Sequence, residues 1–229
     1  MSGNQTIANP NPSIAVIGGT GKEGSAIAAR FAKAGVRTLI GSRDARKAQN
    51  TANAINARFG RKNVEGYTNR DATSKADIVL LAIPYDGIRP ILDDIRESAQ
   101  NKIIINIASS LDPECKSRAR INPAGSITAE MQQFFGENTK VVAAFQNVSP
   151  EQLEKLDEKI ETDVLVCGGD GESREMVINL IKRIGIDAFD AGTISNAVVV
   201  ETMAAVLISI NIKYKVKGTG IRLVGVPRQ

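Results

Sequence analysis

The chain contains no histidine. That excludes histidine-dependent catalytic triads, zinc sites built on imidazole and imidazole acid–base catalysis. Cysteine is scarce. Only Cys115 and Cys167 are present, and they form no metal-binding or redox motif, so no metal is expected. They read as reduced thiols of a cytoplasmic protein. Runs of like charge are missing too: 29 Lys and Arg against 25 Asp and Glu leave a formal net charge of +4. So mild and interspersed an excess argues against nucleic acid as a partner and suits a pocket for an anionic ligand equally well. The most apolar stretch, Ala197 to Ile212, carries Glu201 and reads as too short to span a membrane. The first dozen residues, MSGNQTIANPNP, lack the charged-then-apolar order of a signal peptide and read as a flexible tail over 1–12.

What is present is the alternation of an α/β protein. Apolar runs occur at Ile14–Ile17, Thr38–Ile40, Val64–Tyr67, Ile78–Ile83, Ile103–Ile107, Val141–Phe145, Val164–Cys167 and Ala188–Phe189. Several lack polar alternation, as strands buried on both faces do. Between them lie helical patterns. One spans Ala45 to Phe59 and stops at Gly60; another covers Ile88 to Ser98; a third runs through Met176, Val177, Leu180, Ile181 and Ile184 to Gly185. The expected fold is a Rossmann-type, doubly wound and largely parallel sheet with a C-terminal helical portion. Two segments break the rhythm. Ser109 to Gly125 is a long polar loop, of a length often tied to function. The last helix, from about Ser195 to Lys215, repeats Val199, Met203, Val206, Ile210 and Tyr214 yet is apolar on other faces as well. A helix apolar nearly all round must be covered nearly all round, which predicts a homodimer through it. The chain thus divides into a nucleotide-binding part over 13–192 and a helical segment over 193–229 on the substrate and dimer side.

The stretch SIAVIGGTGKEG places Gly18, Gly19, Thr20, Gly21, Lys22 and Gly24 between an apolar strand and a helix. A G-x-G-x-x-G in that setting is a dinucleotide fingerprint. Gly19 is expected to allow the tight turn, Gly21 the approach of a pyrophosphate and Gly24 close helix–strand packing. Amides at the helix start then face the anion. A carboxylate there opposes a phosphate, so Glu23 is expected to point to solvent, while Lys22 either neutralises phosphate or is simply solvated. About 20 residues on, an acidic residue would select NAD. The sequence offers IGSRDARK instead, with Ser42 and Arg43 at the strand end and Arg46 and Lys47 a turn later. Donors and positive charge suit the 2′-phosphate of NADP(H), although Asp44 restores one negative charge. Ala82, Ile83 and Pro84 end the fourth strand and fall near the ribose or nicotinamide; Tyr85 follows, able to stack or to donate a proton. Ala108, Ser109, Gln146 and Asn147 end the next two strands and are candidate linings for a second ligand. Tyr85, Gln146 and Asn147 are the weak catalytic candidates.

These motifs resemble the NADPH-dependent F420 reductases (F420H2:NADP+ oxidoreductases). The resemblance extends from Ser13 to Val226 and rests on VIGGTGKEG, IGSRDARK, ADIVLLAIP, VVAAF, TDVLVCGGDGESREMV, DAGTISNAVVVE and ISINIKYKVKGTGIRLVG. It implies a Rossmann domain with a small helical portion, a dimer, and hydride transfer between NADP(H) and the deazaflavin coenzyme F420. It also implies that Thr20, Ser42, Arg43 and Lys47 hold the 2′-phosphate end and that Ile83 and Pro84 form the nicotinamide-side turn. Relatives tend to carry a histidine where this chain has Gln146, and a proline-containing turn where it has Ala-Ser-Ser after the fifth strand. Without histidine, hydride transfer to a delocalised ring needs mainly alignment of two flat systems. An imine that is already protonated stays open, as do a carbonyl acceptor served by Tyr85, Lys213, Tyr214 or Lys215 and an NADPH-sensing binding protein without turnover. The lysines that close the last helix offer attraction for an anionic substrate.

Overall fold

The computed structural model describes residues 11–228, so nearly all of the expected tail lies outside the described residues. Eight strands form one sheet: β1 (Ile14–Ile17), β2 (Thr38–Ser42), β3 (Val64–Thr68), β4 (Ile78–Leu81), β5 (Ile103–Asn106), β6 (Lys140–Ala143), β7 (Val164–Gly168) and β8 (Ala188–Asp190). Their spatial order is 3-2-1-4-5-6-7-8. Pairing is parallel from β3 to β6; β7 runs antiparallel to β6, and β8 is parallel to β7. The apolar runs without alternation are explained by burial on both faces. Ile14 and Val16 pack under α1 (Lys22–Lys33), α2 (Ala45–Phe59) and α7 (Gly171–Arg183), whereas Ala15 and Ile17 pack under α3 (Asn69–Lys75), α4 (Arg89–Ile95) and α5 (Ile127–Phe135).

Local signals set the helices. In α2, Asp44 caps the start by accepting from the N–H groups of Arg46 and Lys47, Ala48, Ala52 and Ile55 turn inward, and Gly60 ends the helix at φ +60°. Short helices α3, α5 and α6 (Pro150–Glu154) begin at Thr68, Ser126 and Ser149, whose side chains accept from first-turn amides. The long loop after β5 folds on itself through a bridge between Leu111 and Ala119.

The last helix, α8 (Ala197–Tyr214), turns Val200, Ala204 and Leu207 inward. The repeat counted along the sequence lies on the outer side: Val199 and Val206 are each 58% exposed and Tyr214 70%. With the turn before it the helical stretch runs from Ile194 to Tyr214, 21 residues, which by length and composition alone is enough to cross a membrane. The sequence reading of this segment as too short is therefore corrected; what distinguishes it is a carboxylate, Glu201, sealed against β5 and α5. Beyond α8 the chain returns to the sheet. Ile221 accepts from the Asp163 N–H at 2.8 Å, and Arg228 grips the Asp163 carboxylate at 2.8 and 2.9 Å.

Candidate active site

In an open α/β sheet, ligands bind beyond the carboxyl ends of strands where neighbouring connections diverge. Here that point lies between β1 and β4. The chain leaves β1 at Gly18 with φ +78°, a region that suits glycine. A side chain at Gly18 would strike the Ala82 carbonyl and Ile83, so this glycine, rather than Gly19 as expected, carries the left-handed turn. Gly19 is required for a different reason, since a Cβ there would sit 2.7 Å from the Val16 oxygen. Gly24 packs as expected, its Cβ position 2.5 Å from the Gly18 oxygen. Around Gly21 the only close neighbour of a Cβ would be the Gly18 oxygen at 3.3 Å, which leaves its outer side open. Gly21 is also the N-cap of α1 and offers no side chain to the first-turn amides, so these remain for an anion. Thr20 is exposed beside it. Lys22 is not simply solvated: its Nζ lies 3.3 Å from Glu154 Oε2.

The end of β2 builds the ribose side. Ser42 Oγ accepts from the Asp44 N–H at 3.2 Å, and Asp44 Oδ1 accepts from Arg46 N at 2.9 Å and Lys47 N at 3.3 Å. The Asp44 carboxylate is thereby committed to capping α2. Arg43, Arg46 and Lys47 are all exposed around this corner.

Adjoining the glycine bend is a cavity of about 590 Å³. Its walls are Ala82–Pro84 after β4, Ala108 and Ser109 after β5, Gln146 and Asn147 after β6, and Ala204, Leu207 and Asn211 of α8. The sequence candidates for the nicotinamide turn and the second ligand are therefore brought together. Gln146 and Asn147 are buried, 6% and 1% exposed. Gln146 Nε2 donates to the Asn106 carbonyl at 2.8 Å and Asn147 Nδ2 to the Asp163 carbonyl at 2.6 Å. Each amide is thus held by its nitrogen, and Gln146 Oε1 and Asn147 Oδ1 have no hydrogen-bond partner among the described residues. Phe145, just before them, adopts φ +74°, which is costly for a bulky residue and bends the chain sharply after β6.

Other candidates separate from the chemistry. Tyr85 lines the cavity, but its hydroxyl donates to Glu130 Oε2 at 2.7 Å and accepts from Asn122 Nδ2 at 2.9 Å. The bond to Glu130 raises the phenol above its ordinary range, so its proton is engaged. Lys213, Tyr214 and Lys215 are exposed at the end of α8, and the cavity is reached instead by Asn211 and by Lys116 of the long loop. Cys115 and Cys167 are free thiols. No cluster of metal-ligating side chains occurs among the described residues.

Two carboxylates take places that the sequence reading did not foresee. Glu23 does not point to solvent: it is partly buried and lines the cavity. Burial, and then the charge of Glu151, push its carboxyl up to about 7. Glu201 is fully buried. Its oxygens accept from Ile127 N and Thr128 N, both at 2.7 Å, from Thr128 Oγ1 at 2.6 Å and from Asn106 Nδ2 at 3.3 Å. It closes the N-terminus of α5 and ties α8 to β5 beneath the cavity. The available signal was a single acidic residue in a largely apolar helix.

The chain is similar to known proteins along most of its length. The family described as NADP oxidoreductase coenzyme F420-dependent matches residues 13–110. An F420-dependent NADP reductase of Methanocaldococcus jannaschii is 38% identical over 92% of this chain and 97% of its own length. Another F420-dependent NADP reductase, from Methanothermobacter thermautotrophicus, is 36% identical over 94% and 96%. Among solved structures, an Arthrobacter sp. FB24 protein proposed to be an F420-dependent NADP reductase superposes with a TM-score of 0.77 at 23% identity, over 93% of this chain and 99% of that one; it establishes the shared fold.

Proposed function

This chain belongs to the F420-dependent NADP reductases, and from that premise we infer that it is an oxidoreductase moving a hydride between NADP(H) and the deazaflavin coenzyme F420. The nucleotide lies along the glycine bend, with its diphosphate on the open side of Gly21 and on the free amides of α1. Ser42 and Arg43 hold the 2′-phosphate, joined by Thr20 and Lys47 at the same corner; an exposed guanidinium at a strand end supplies the fork that such an oxyanion needs. Gly18, Gly19 and Gly24 shape this cradle, and Lys22 flanks it.

The observation that carries the reading is the adjacency of the cavity to that cradle. Ala82, Ile83 and Pro84 form a wall of the cavity, and Gly18 lies directly against Ala82 and Ile83. A nicotinamide that follows the bend arrives at this wall, and the cavity volume is in the range of sites for flat ring systems. The bound nicotinamide supplies the hydride. The chain's residues supply alignment: apolar walls from Ala82, Ile83, Ala108 and Leu207 exclude water, and Gln146 and Asn147 add polar side chains to the wall, their amide oxygens buried and unpaired. No histidine is required for that task.

Residues 13–192 carry the nucleotide side in this reading, and 193–229 supply α8 to the acceptor side. The exposed Val199, Val206 and Ile212 of α8 suit a second copy of the chain, to be tested by sedimentation of V206D, which should shift to the monomer. Two free thiols accord with a reducing cytoplasm. The direct test of the function is the deazaflavin absorbance of F420 on mixing with NADPH. Loss of the band supports the reading. An unchanged band together with turnover of an imine or carbonyl would overturn it in favour of a different NADPH-dependent reductase, and NADPH binding without any turnover would favour a nucleotide sensor.

A further inference from the structure

Hydride transfer from NADPH to a deazaflavin leaves a charge balance to close. The reaction is NADPH plus oxidised deazaflavin plus one proton, giving NADP+ and reduced deazaflavin. Two electrons and a hydrogen leave the nicotinamide C4, and the reduced ring takes up the proton. Two of the groups that ordinarily supply it do not serve here: histidine is absent from the chain, and the Tyr85 hydroxyl is engaged by Glu130.

We propose that Glu23 carries this proton. The inference rests on the function proposed above and on the position of one side chain. Glu23 stands in the first turn of α1, two residues after Gly21, and lines the same cavity as Ala82, Gln146 and Asn147. It therefore borders both the diphosphate cradle and the acceptor space. Its charged surroundings favour the neutral carboxyl. Glu151, from the start of α6, borders the same cavity, as do Asp86 from the turn after β4 and Asp112 from the long loop. Lys22 on its own helix is paired with Glu154 of α6. Lys116 is the cation of the cavity lining, and the residues that α8 contributes there, Ala204, Leu207, Ile208 and Asn211, are uncharged. Burial and Glu151 together already bring the Glu23 carboxyl to about 7, and a neighbouring diphosphate pushes it the same way. Nucleotide binding thus loads a proton onto Glu23, the carboxyl O–H gives it to the reduced ring, and the resulting carboxylate is reprotonated from solvent.

The test is the pH dependence of turnover in both directions, with F420 and NADPH and with reduced F420 and NADP+. In the wild type, with nucleotide bound, oxidation of NADPH should fall at a pH higher than about 7, approaching tenfold per pH unit, while the reverse direction should rise over the same range. E23Q should lose both limbs and slow NADPH oxidation at pH 6 by about 100-fold or more. E151Q should keep both limbs but move them to lower pH, because one repelling charge is gone. An E23Q profile that superimposes on the wild type in shape overturns the proposal. Should E23Q fail to fold, E151Q decides: displaced limbs support the proposal and unmoved limbs overturn it. Absence of turnover at every pH in the wild type speaks against the hydride reaction itself, and so is told apart from failure of the Glu23 assignment.

Discussion

Replacing Glu201 by alanine isolates the contact that fastens the C-terminal helix beneath the cavity. The carboxylate is 0% exposed. Its removal strands the N–H groups of Ile127 and Thr128, each now donating to it at 2.7 Å. A buried donor left without a partner costs about 1–3 kcal/mol, so the two together cost about 2–6 kcal/mol. The Thr128 hydroxyl, which donates to Glu201 at 2.6 Å, loses its acceptor as well, and the Asn106 amide loses its longer bond at 3.3 Å while keeping the one to Thr128 Oγ1 at 3.0 Å. One term opposes the loss. Burial raises the Glu201 carboxyl above its ordinary range against the pull of Thr128, Ile127 and Asn106, so the ionised group is itself held at a cost. The expected net destabilisation is about 3 kcal/mol, or a fall of about 6–12 °C in Tm for a chain of this size. E201Q retains one acceptor oxygen and should lose about half as much. Urea and thermal unfolding followed by circular dichroism measure both. The consequence reaches the site, since Asn106 accepts from Gln146 Nε2 through its carbonyl and from Ala108 N through Oδ1. E201A should therefore raise KM for the acceptor more than Kd for NADPH. An alanine variant within 1 kcal/mol of the wild type would refute the account of Glu201 as the anchor of α5 and α8.

Arg43→Ala should weaken NADPH binding about 10- to 150-fold, the loss of one charge-assisted bond, and leave NADH nearly unchanged; calorimetric titration of both nucleotides checks it, and equal losses would show that Arg43 does not read the 2′-phosphate. Gly24→Ala should abolish nucleotide binding, because the new Cβ meets the backbone of Gly18 and Gly19 at 2.5–3.0 Å; Gly60→Ala, with open space around it but φ +60°, should cost about 1 kcal/mol and leave Kd alone. Asp163 feels burial, which raises its carboxyl, but its bonds to Arg228 and to the Leu223 N–H outweigh this and hold it below the usual 3.8. The folded chain then binds that proton more weakly than the unfolded one, so the stability it contributes is complete above about pH 4 and is lost as pH falls through the depressed value. Acid unfolding of D163N should lack that component.

Much of the framework was legible because it is written in local patterns. All eight strands fall where apolar runs occur, and α2 begins and ends at the residues expected, since Asp44 and Gly60 act within one helical turn of themselves. The glycine bend was legible for the same reason, though its roles were not: whether Gly18 or Gly19 takes the left-handed turn depends on Ala82 and Ile83, which β4 brings from more than 60 residues away. The antiparallel setting of β7 was invisible, because apolar runs carry no direction. Glu23 was misread for want of its surroundings. A carboxylate in a first turn is ordinarily solvated, and only the return of the chain to Glu151 encloses it. Glu201 was the reverse case, a charge noted as an obstacle to membrane insertion whose partners on β5 and α5 lie 73 residues or more away in sequence.

The two halves of the site are therefore built on different principles, and this bears on how the chain does without histidine. The nucleotide half is backbone: bare glycines, free amides and a strand end, whose recognition survives changes in most neighbouring side chains. The acceptor half is a set of side chains delivered from the ends of β4, β5 and β6 and from α1 and α8, two of them fixed by bonds made elsewhere, Gln146 by Asn106 and Asn147 by Asp163. Such a half can change its chemistry one residue at a time while the hydride donor stays in place. An imidazole would both accept and donate in one position; here the two tasks fall to separate groups. Gln146 and Asn147 carry buried amide oxygens, which only accept, and Glu23, whose carboxyl is pushed up to about 7, is the group proposed to give a proton near neutrality. If that division is right, a histidine installed at Gln146 should restore a proton donor and relieve E23Q, so that the double variant turns over faster than E23Q alone; a double variant no faster than E23Q would mean that the two positions do not serve a common proton.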